Sequence, residues 1–262
     1  MTAGISTACF YPMNTEEAMG ILSRNNVAAC EVFLNSHGEM DAGYLRELRA
    51  VAEAGGTRIL SVHPYTSGME PMLFFSGYPL RFEDGRAYYR GYYEAAARLG
   101  ADIVVFHGNM AQFHMEPAEY AQRLGILIED AQKMGVRLCH ENVSRCAGRD
   151  PAFFRELAEQ LPEARFVLDV KQCLRSGEDV YAFVEAMAGR IAHVHISDHN
   201  AQADCLPIGK GTFHIPKFLS CLHAQGFCGD YGGVIIELYR GNFIDSVELM
   251  QSYQRLCGYV ST

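Results

Sequence analysis

The sequence predicts an α/β protein with one TIM (β/α)8 barrel that spans residues 1–262. Three observations predict this fold. Eight short apolar segments recur along the chain, segments with helical spacing lie between them, and a length of 262 residues is typical of this architecture. Because strands that alternate with helices form parallel sheets, eight such units predict a closed barrel. No linker or low-complexity stretch interrupts the pattern, so we expect a single domain without an internal boundary.

The predicted strands are rich in β-branched and apolar residues, as expected of strands that are buried on both faces. In chain order they are Gly4–Phe10, Ala29–Asn35, Arg58–Pro64, Asp102–Gly108, Arg137–Val143, Arg165–Val170, Ile191–Asp198 and Gly233–Tyr239. From the third strand onward, each carries one histidine or carboxylate near its C-terminal end: His63, His107, Glu141, Asp169, His195 and Glu237. The C-terminal strand ends of such a barrel converge on one mouth, so these six side chains are expected to meet there.

Helix signals fill the gaps between the predicted strands. Asn14, Asp41, Asp150 and Asp245 are predicted N-caps, since each precedes a segment of helical spacing. Glycines at 55–56 and 135 are predicted to end two of these helices. The helical segments are Thr15–Asn26, Asp41–Ala54, Phe82–Leu99, Pro117–Met134, a segment opened by Asp150, Glu178–Ala188, Ile215–Ala224 and a segment opened by Asp245.

Two connections on the mouth side are long, Tyr65–Leu80 and His199–Phe213. Long loops at this end of a barrel usually shape the substrate pocket. The first is strongly apolar, so we expect it either to cover the mouth or to form a subunit contact in a homo-oligomer.

Composition and charge exclude several classes of protein. The formal net charge of −9 is unfavourable for nucleic acid, which requires a basic face. The chain has no apolar run of membrane-spanning length and no secretory signal, so we expect a cytoplasmic protein with no membrane partner. Nine cysteines without a CxxC pair indicate reduced thiols rather than a disulfide framework or zinc finger.

Glu141, Asp169, His195 and Glu237 are predicted to bind one divalent metal ion. Three carboxylates and one imidazole suit Mn²⁺ or Mg²⁺ best, with Zn²⁺ or Co²⁺ as alternatives. Buried carboxylates also need a partner, which a metal ion would supply. Such an ion would stabilise the enediolate charge that develops when a proton is removed beside a sugar carbonyl. We predict that Glu141 and Glu237 are the catalytic acid and base, one on each face of the substrate.

Further candidates surround this cluster. His63 and His107 are predicted to contact the substrate or to support the metal ligands. Lys210, between two glycines, is predicted to bind a phosphate or carboxylate of the substrate, the alternative being an ordinary loop lysine facing solvent. Glu31 either lines the pocket floor or neutralises a buried partner. Two histidines are expected to be structural: His193 lies one layer below His195, and His140 faces away from Glu141.

The chain resembles the xylose isomerase-like TIM-barrel superfamily, which includes the AP endonuclease family 2. The resemblance runs in order from the third to the eighth strand. Its motifs are Ser61-Val-His63-Pro, Phe106-His107-Gly, Cys139-His-Glu141-Asn142, Leu168-Asp169, His193-Val-His195-Ile-Ser-Asp198, Leu206-Pro-Ile-Gly-Lys-Gly211 and Ile236-Glu237. The group includes sugar phosphate isomerases and epimerases, ketose 3-epimerases, inosose dehydratases, hydroxypyruvate isomerases and endonuclease IV-type enzymes. The resemblance implies the same four metal ligands, with His63 and His107 near the substrate.

Departures from the family patterns reduce the number of functions that the resemblance allows. The trinuclear endonuclease and the ketose 3-epimerases carry a histidine where this chain has Gln172. The endonuclease has a second histidine at the position of Leu206, and the epimerases have an arginine at that of Ala201. The sequence therefore predicts a metal-dependent isomerase or epimerase of a small sugar or sugar phosphate. A sugar or inosose dehydratase on the same site is the alternative, and a DNA repair endonuclease is a weaker one.

Overall fold

The computed structural model describes residues 1–261 and confirms the predicted barrel: eight parallel strands close in chain order, with β1 paired to both β2 and β8. The strands are β1 (Ala3–Ser6), β2 (Ala29–Leu34), β3 (Arg58–Pro64), β4 (Ile103–Phe106), β5 (Arg137–Glu141), β6 (Arg165–Asp169), β7 (Ile191–Ile196) and β8 (Val234–Ile236). The short β8 ends one residue before Glu237, which therefore lies on the rim of the barrel.

Helices surround the strands. They are α1 (Thr15–Arg24), α2 (Ala42–Ala54), α3 (Glu70–Phe74), α4 (Pro79–Leu99), α5 (Pro117–Lys133), α6 (Pro151–Gln160), α7 (Val170–Ser176), α8 (Val180–Ala186), α9 (Ile215–Ala224) and α10 (Ser246–Val260). Asp41, Asp150 and Asp245 cap helices through their carboxylates, as predicted. Asn14 is the N-cap residue of α1, as predicted, although its side chain accepts no capping hydrogen bond. None of the helices within residues 1–261 has the length and apolar character that a membrane span needs.

Two connections differ from the sequence prediction. The segment after β3 contains a 3₁₀ turn and helix α3, and α4 begins at Pro79 rather than near Phe82. Phe74 and Phe75 of this segment are buried against Phe106 and Tyr120, because the helix layer offers them apolar surface. The connection after β6 holds two short helices instead of one, since α7 starts directly after Asp169 and ends at a left-handed glycine, Gly177. The predicted subunit contact stays a prediction.

The barrel interior changes from apolar to polar toward the mouth. Ile103, Val105, Cys139 and Val167 form a buried apolar cluster on three neighbouring strands. Two residues further along β5 and β6, side chains of the same orientation are Glu141 and Asp169. Strand register places Asp169 beside His195 on β7. The fold thus carries the predicted site on rigid strand ends above an apolar floor.

Candidate metal centre

The four predicted metal ligands converge at the barrel mouth. Ligand atoms of Glu141, Asp169, His195 and Glu237 all lie within 4.8 Å of one another. His195 Nδ1 is 2.7 Å from Glu141 Oε1, 3.9 Å from Asp169 Oδ2 and 3.7 Å from Glu237 Oε2. Glu141, Asp169 and His195 are buried, whereas Glu237 is partly open to the mouth. One imidazole nitrogen therefore faces three carboxylates around a common point.

A buried carboxylate supports His195 from the opposite side. Glu31 Oε2 lies 3.0 Å from His195 Nε2 and accepts a hydrogen bond from Ser61 at 2.8 Å. Its other oxygen accepts a hydrogen bond from Ser6, and His193 lies 3.6 Å from Oε2. Of the two roles considered for Glu31, the structure therefore favours the neutralisation of buried partners. The arrangement directs Nδ1 of His195 toward the carboxylate cluster.

Lys171 is a member of the cluster that the sequence analysis missed. Its Nζ donates hydrogen bonds to Asp169 Oδ2 and to Glu237 Oε2, each at 2.6 Å. The side chain is 3% exposed, and its ammonium lies 5.6 Å from the centre of the Tyr239 ring. The sequence signal was a lysine in the first turn of a helix at the mouth, where a cation is unfavourable to the helix dipole.

Burial and charge act against each other in this cluster. Burial raises the pKa of Glu141, but His195 and hydrogen bonds from histidines outweigh it and hold that pKa well below its usual range. Burial likewise raises the pKa of Glu237, which Lys171 and His195 reverse to a lowered value. For Asp169, burial prevails over the charge of Lys171 and raises the pKa to about 6. The two predicted catalytic glutamates are therefore held ionised.

Asn142 and Gln172 hold Asp169 in place through hydrogen bonds. Asn142 Oδ1 accepts the Asp169 N–H at 2.6 Å, and Asn142 Nδ2 donates to the Asp169 carbonyl at 3.0 Å. Asp169 in turn caps α7 by accepting the N–H of Gln172 at 3.0 Å. The Gln172 side chain accepts hydrogen bonds from the backbone and hydroxyl of Ser144. Gln172 thus joins the first turn of α7 to the segment after β5.

His63 and His107 contact Glu141. His107 Nε2 lies 2.8 Å from Glu141 Oε2 and 3.1 Å from His63 Nε2, and His63 stacks on Phe33. The substrate contact predicted for these two histidines stays a prediction. Glu70, which the sequence analysis did not single out, is fully buried and accepts the backbone N–H groups of His107 and Gly108 at 2.7 and 2.6 Å. The segment after β3 therefore holds the end of β4 in place.

Lys210 lies apart from the cluster. Asp198 accepts backbone N–H groups from both glycines that flank Lys210, at 2.8 and 3.0 Å, and so fixes this turn. The Lys210 side chain is 50% exposed, and its Nζ lies 3.2 Å from Glu248 Oε1 on α10. The structure therefore favours the solvent-facing alternative for this lysine, and its predicted contact with a phosphate or carboxylate is without support from the geometry.

A cavity of about 420 Å³ opens at the mouth beside the carboxylates. Its lining residues are Ala8, Tyr11, Phe33, Asn35, Tyr65, Lys171, Glu237, Leu238 and Tyr239. Its size is in the range of small-molecule sites. Aromatic and apolar side chains form most of the wall, and the charged groups Lys171 and Glu237 connect it to the ligand cluster.

A divalent ion fits this donor set. Oxygen-rich sites with one imidazole nitrogen suit Mn²⁺ or Mg²⁺, and Zn²⁺ binds the same ligand types. The three carboxylates of Glu141, Asp169 and Glu237 carry one negative charge more than a divalent ion neutralises. Lys171 neutralises part of the carboxylate charge through its pairs with Asp169 and Glu237.

The chain belongs to the xylose isomerase-like TIM barrel family, whose pattern matches residues 21–253. Among solved structures, it is similar to a D-tagatose 3-epimerase-like protein at 21% identity and a TM-score of 0.80, covering 100% of this chain and 97% of that one. It is also similar to the IOLI protein with a bound zinc atom, at 18% identity and a TM-score of 0.79, covering 100% of this chain and 98% of that one. A third similar structure is D-psicose 3-epimerase from Clostridium cellulolyticum H10, at 13% identity and a TM-score of 0.79, covering 99% of this chain and 98% of that one. No curated protein sequence matches the chain.

Proposed function

We propose that the protein is a divalent-metal-dependent isomerase or epimerase of a small sugar. The observation that carries the proposal is the placement of two glutamates around one candidate ligand nitrogen: Glu141 Oε1 at 2.7 Å and Glu237 Oε2 at 3.7 Å from His195 Nδ1. Similar folds that are described as a D-tagatose 3-epimerase-like protein and a D-psicose 3-epimerase support a sugar as the substrate class.

The ion, held by Glu141, Asp169, His195 and Glu237, would supply positive charge against the enediolate that forms on the substrate. Glu237 borders the cavity and Glu141 lies across the cluster from it, so each glutamate faces the site from its own side. One glutamate removes the proton beside the carbonyl and the other returns one. Return to the same carbon from the opposite face inverts that carbon, and return to its neighbour isomerises the sugar.

His63 and His107 support this chemistry by holding Glu141. Both imidazoles face Glu141 Oε2, at 3.9 and 2.8 Å, while the other oxygen of Glu141 faces His195. A carboxylate fixed at both oxygens keeps its orientation toward the substrate. We assign His63 and His107 to the positioning of Glu141, a role compatible with substrate contact through the same ring edges.

The cavity wall favours an unphosphorylated substrate. Tyr11, Tyr65 and Tyr239 offer apolar ring surface for the carbon face of a sugar and hydroxyl groups for its edge. Among the described residues that line this cavity, Lys171 is the single cation, and it is already paired with Asp169 and Glu237. A phosphate dianion would therefore meet at most one cation in this wall, without the several cations and bidentate guanidinium groups that phosphate sites commonly use.

The test is incubation of purified protein and Mn²⁺ with a panel of free ketoses and the corresponding sugar phosphates in deuterated water. We expect deuterium at the carbon beside the carbonyl of a free ketose, together with a new isomer or epimer detected by NMR. A product lighter by one water would instead identify a dehydratase, which begins with the same proton abstraction. Absence of exchange and of product across the panel, with Mn²⁺ bound, would contradict the proposal.

A further inference from the structure

We propose that Lys171 is a built-in competitor of the metal ion, a lysine cation that holds Asp169 and Glu237 together and lowers the affinity of the site for divalent ions. The inference rests on the proposed metal centre and adds a residue to it. Lys171 Nζ lies 2.6 Å from both Asp169 Oδ2 and Glu237 Oε2. These are the same two oxygens that face His195 Nδ1, at 3.9 and 3.7 Å.

The position of Lys171 explains how the carboxylates can stay assembled before a metal ion enters. Glu141, Asp169 and Glu237 lie within 4.8 Å of one another with His195, in a largely buried setting where like charges repel strongly. The ammonium bridges two of the three carboxylates and cancels part of this repulsion. An entering divalent ion meets that positive charge next to two of its own ligands, so its binding is weakened.

The mouth cavity gives the ammonium a place to move. Lys171 lines this cavity, and its Nζ lies 5.6 Å from the Tyr239 ring centre, within the range of a cation–π contact. Tyr239 is itself held by a hydrogen bond from Arg175. An ammonium that yields Asp169 and Glu237 to a metal ion can therefore remain within cation–π distance of the Tyr239 ring.

The experiment compares Mn²⁺ affinity by titration calorimetry among metal-free wild type, Lys171→Met, Lys171→Gln and Lys171→Arg. Removal of the charge should tighten Mn²⁺ binding at least tenfold in the Met and Gln variants and lower the melting temperature of the metal-free protein. The Arg variant, which changes shape but keeps the charge, should stay close to wild type. Lys210→Met is the matched control, because it removes one positive charge from a salt bridge outside the cluster.

Unchanged or weaker Mn²⁺ binding in both folded neutral variants would overturn the role of Lys171 and leave the metal centre standing. Absence of Mn²⁺ binding in wild type and every variant would overturn the metal centre itself.

A measurement on the wild type covers the case in which the neutral variants do not fold. The chain has four lysines, Lys133, Lys171, Lys210 and Lys217, so amine labelling can be mapped to each by mass spectrometry. Competition for shared oxygens predicts that Mn²⁺ increases the labelling of Lys171 and leaves the other three unchanged. Equal or reduced labelling of Lys171 with Mn²⁺ bound would contradict the proposal.

Discussion

Glu31 and His195 form a buried pair in which Glu31 Oε2 lies 3.0 Å from His195 Nε2, on the side of the imidazole away from the three carboxylates. Both ring nitrogens face carboxylates, but Nδ1 faces the three that would share a metal ion, 2.7 Å from Glu141. A metal ion held there would take Nδ1, and Nε2 would keep its proton for Glu31. A carboxylate behind a ligand histidine fixes its orientation and makes it a stronger ligand.

Glu31→Gln should therefore weaken Mn²⁺ binding by about 10–100-fold, the usual effect of losing such a partner. The amide removes the negative charge and turns an NH₂ group toward donors such as Ser6 or Ser61, which need an acceptor. Titration calorimetry measures the affinity. Glu53→Gln, a change on the exposed face of α2, is the control. Affinity equal to that of wild type would show that Glu31 has no influence on the metal ligand.

Glu141→Gln and Glu237→Gln should each reduce turnover by about 10²–10⁴-fold, since either change keeps the size of the side chain and removes the proton-accepting charge. Metal content must be measured in the same samples, because both residues are also proposed ligands. Deuterium exchange into the substrate separates the two roles when metal is retained. Full activity of both variants with Mn²⁺ bound would rule out the two-glutamate mechanism and direct attention to His63 and His107.

Asn142→Leu should destabilise the protein by about 1–3 kcal/mol, because it leaves the buried N–H of Asp169 without its partner and removes one of the donors to the Asp169 carbonyl. It should also weaken Mn²⁺ binding, since Asp169 is then free to turn. Urea unfolding and titration calorimetry measure the two effects. Asn25→Leu, at the exposed end of α1, is the matched control. A loss of stability with unchanged metal affinity would contradict the role of Asn142 in holding Asp169.

His140 should make the protein less stable in acid. Burial among aromatic rings lowers its pKa to about 3, from 6.5 in an exposed histidine, although its hydrogen bond to the Glu141 carbonyl opposes this. Between these values the unfolded chain binds a proton that the native protein does not, so stability falls as the pH falls. At pH 5 this costs about 2 kcal/mol relative to neutral pH.

The measurement is urea unfolding of wild type and His140→Gln at pH 5 and pH 8. The stability of the variant should fall less than that of wild type between pH 8 and pH 5, by about 2 kcal/mol. His114→Gln, with an 85% exposed side chain, is the control. Equal pH dependence of wild type and His140→Gln would show that His140 is protonated as readily in the folded protein as in the unfolded chain.

The sequence was sufficient to predict the barrel and the convergence of the four candidate ligands. Strand periodicity places Glu141 and Asp169 on the inner face, and parallel strands bring their C-terminal ends together whatever the helices do. The strand pattern could not predict that the Lys171 side chain points to the carboxylates, because its orientation depends on α7 starting directly after Asp169. Glu70 was missed for a similar reason: it belongs to a connection whose helix α3 forms against the barrel, and no strand pattern places it beside His107. Lys210 was predicted to bind substrate because it lies between two glycines, but the backbone N–H groups of those glycines donate to Asp198.

The most direct test of the central claim is anomalous diffraction at the manganese edge from crystals grown with Mn²⁺. We predict one strong peak at the barrel mouth, with oxygens of Glu141, Asp169 and Glu237 at about 2.0–2.3 Å and Nδ1 of His195 completing the protein ligands. The same map would show Lys171 turned from Asp169 and Glu237 toward Tyr239. A saturated crystal with no manganese peak among these four side chains would contradict the account.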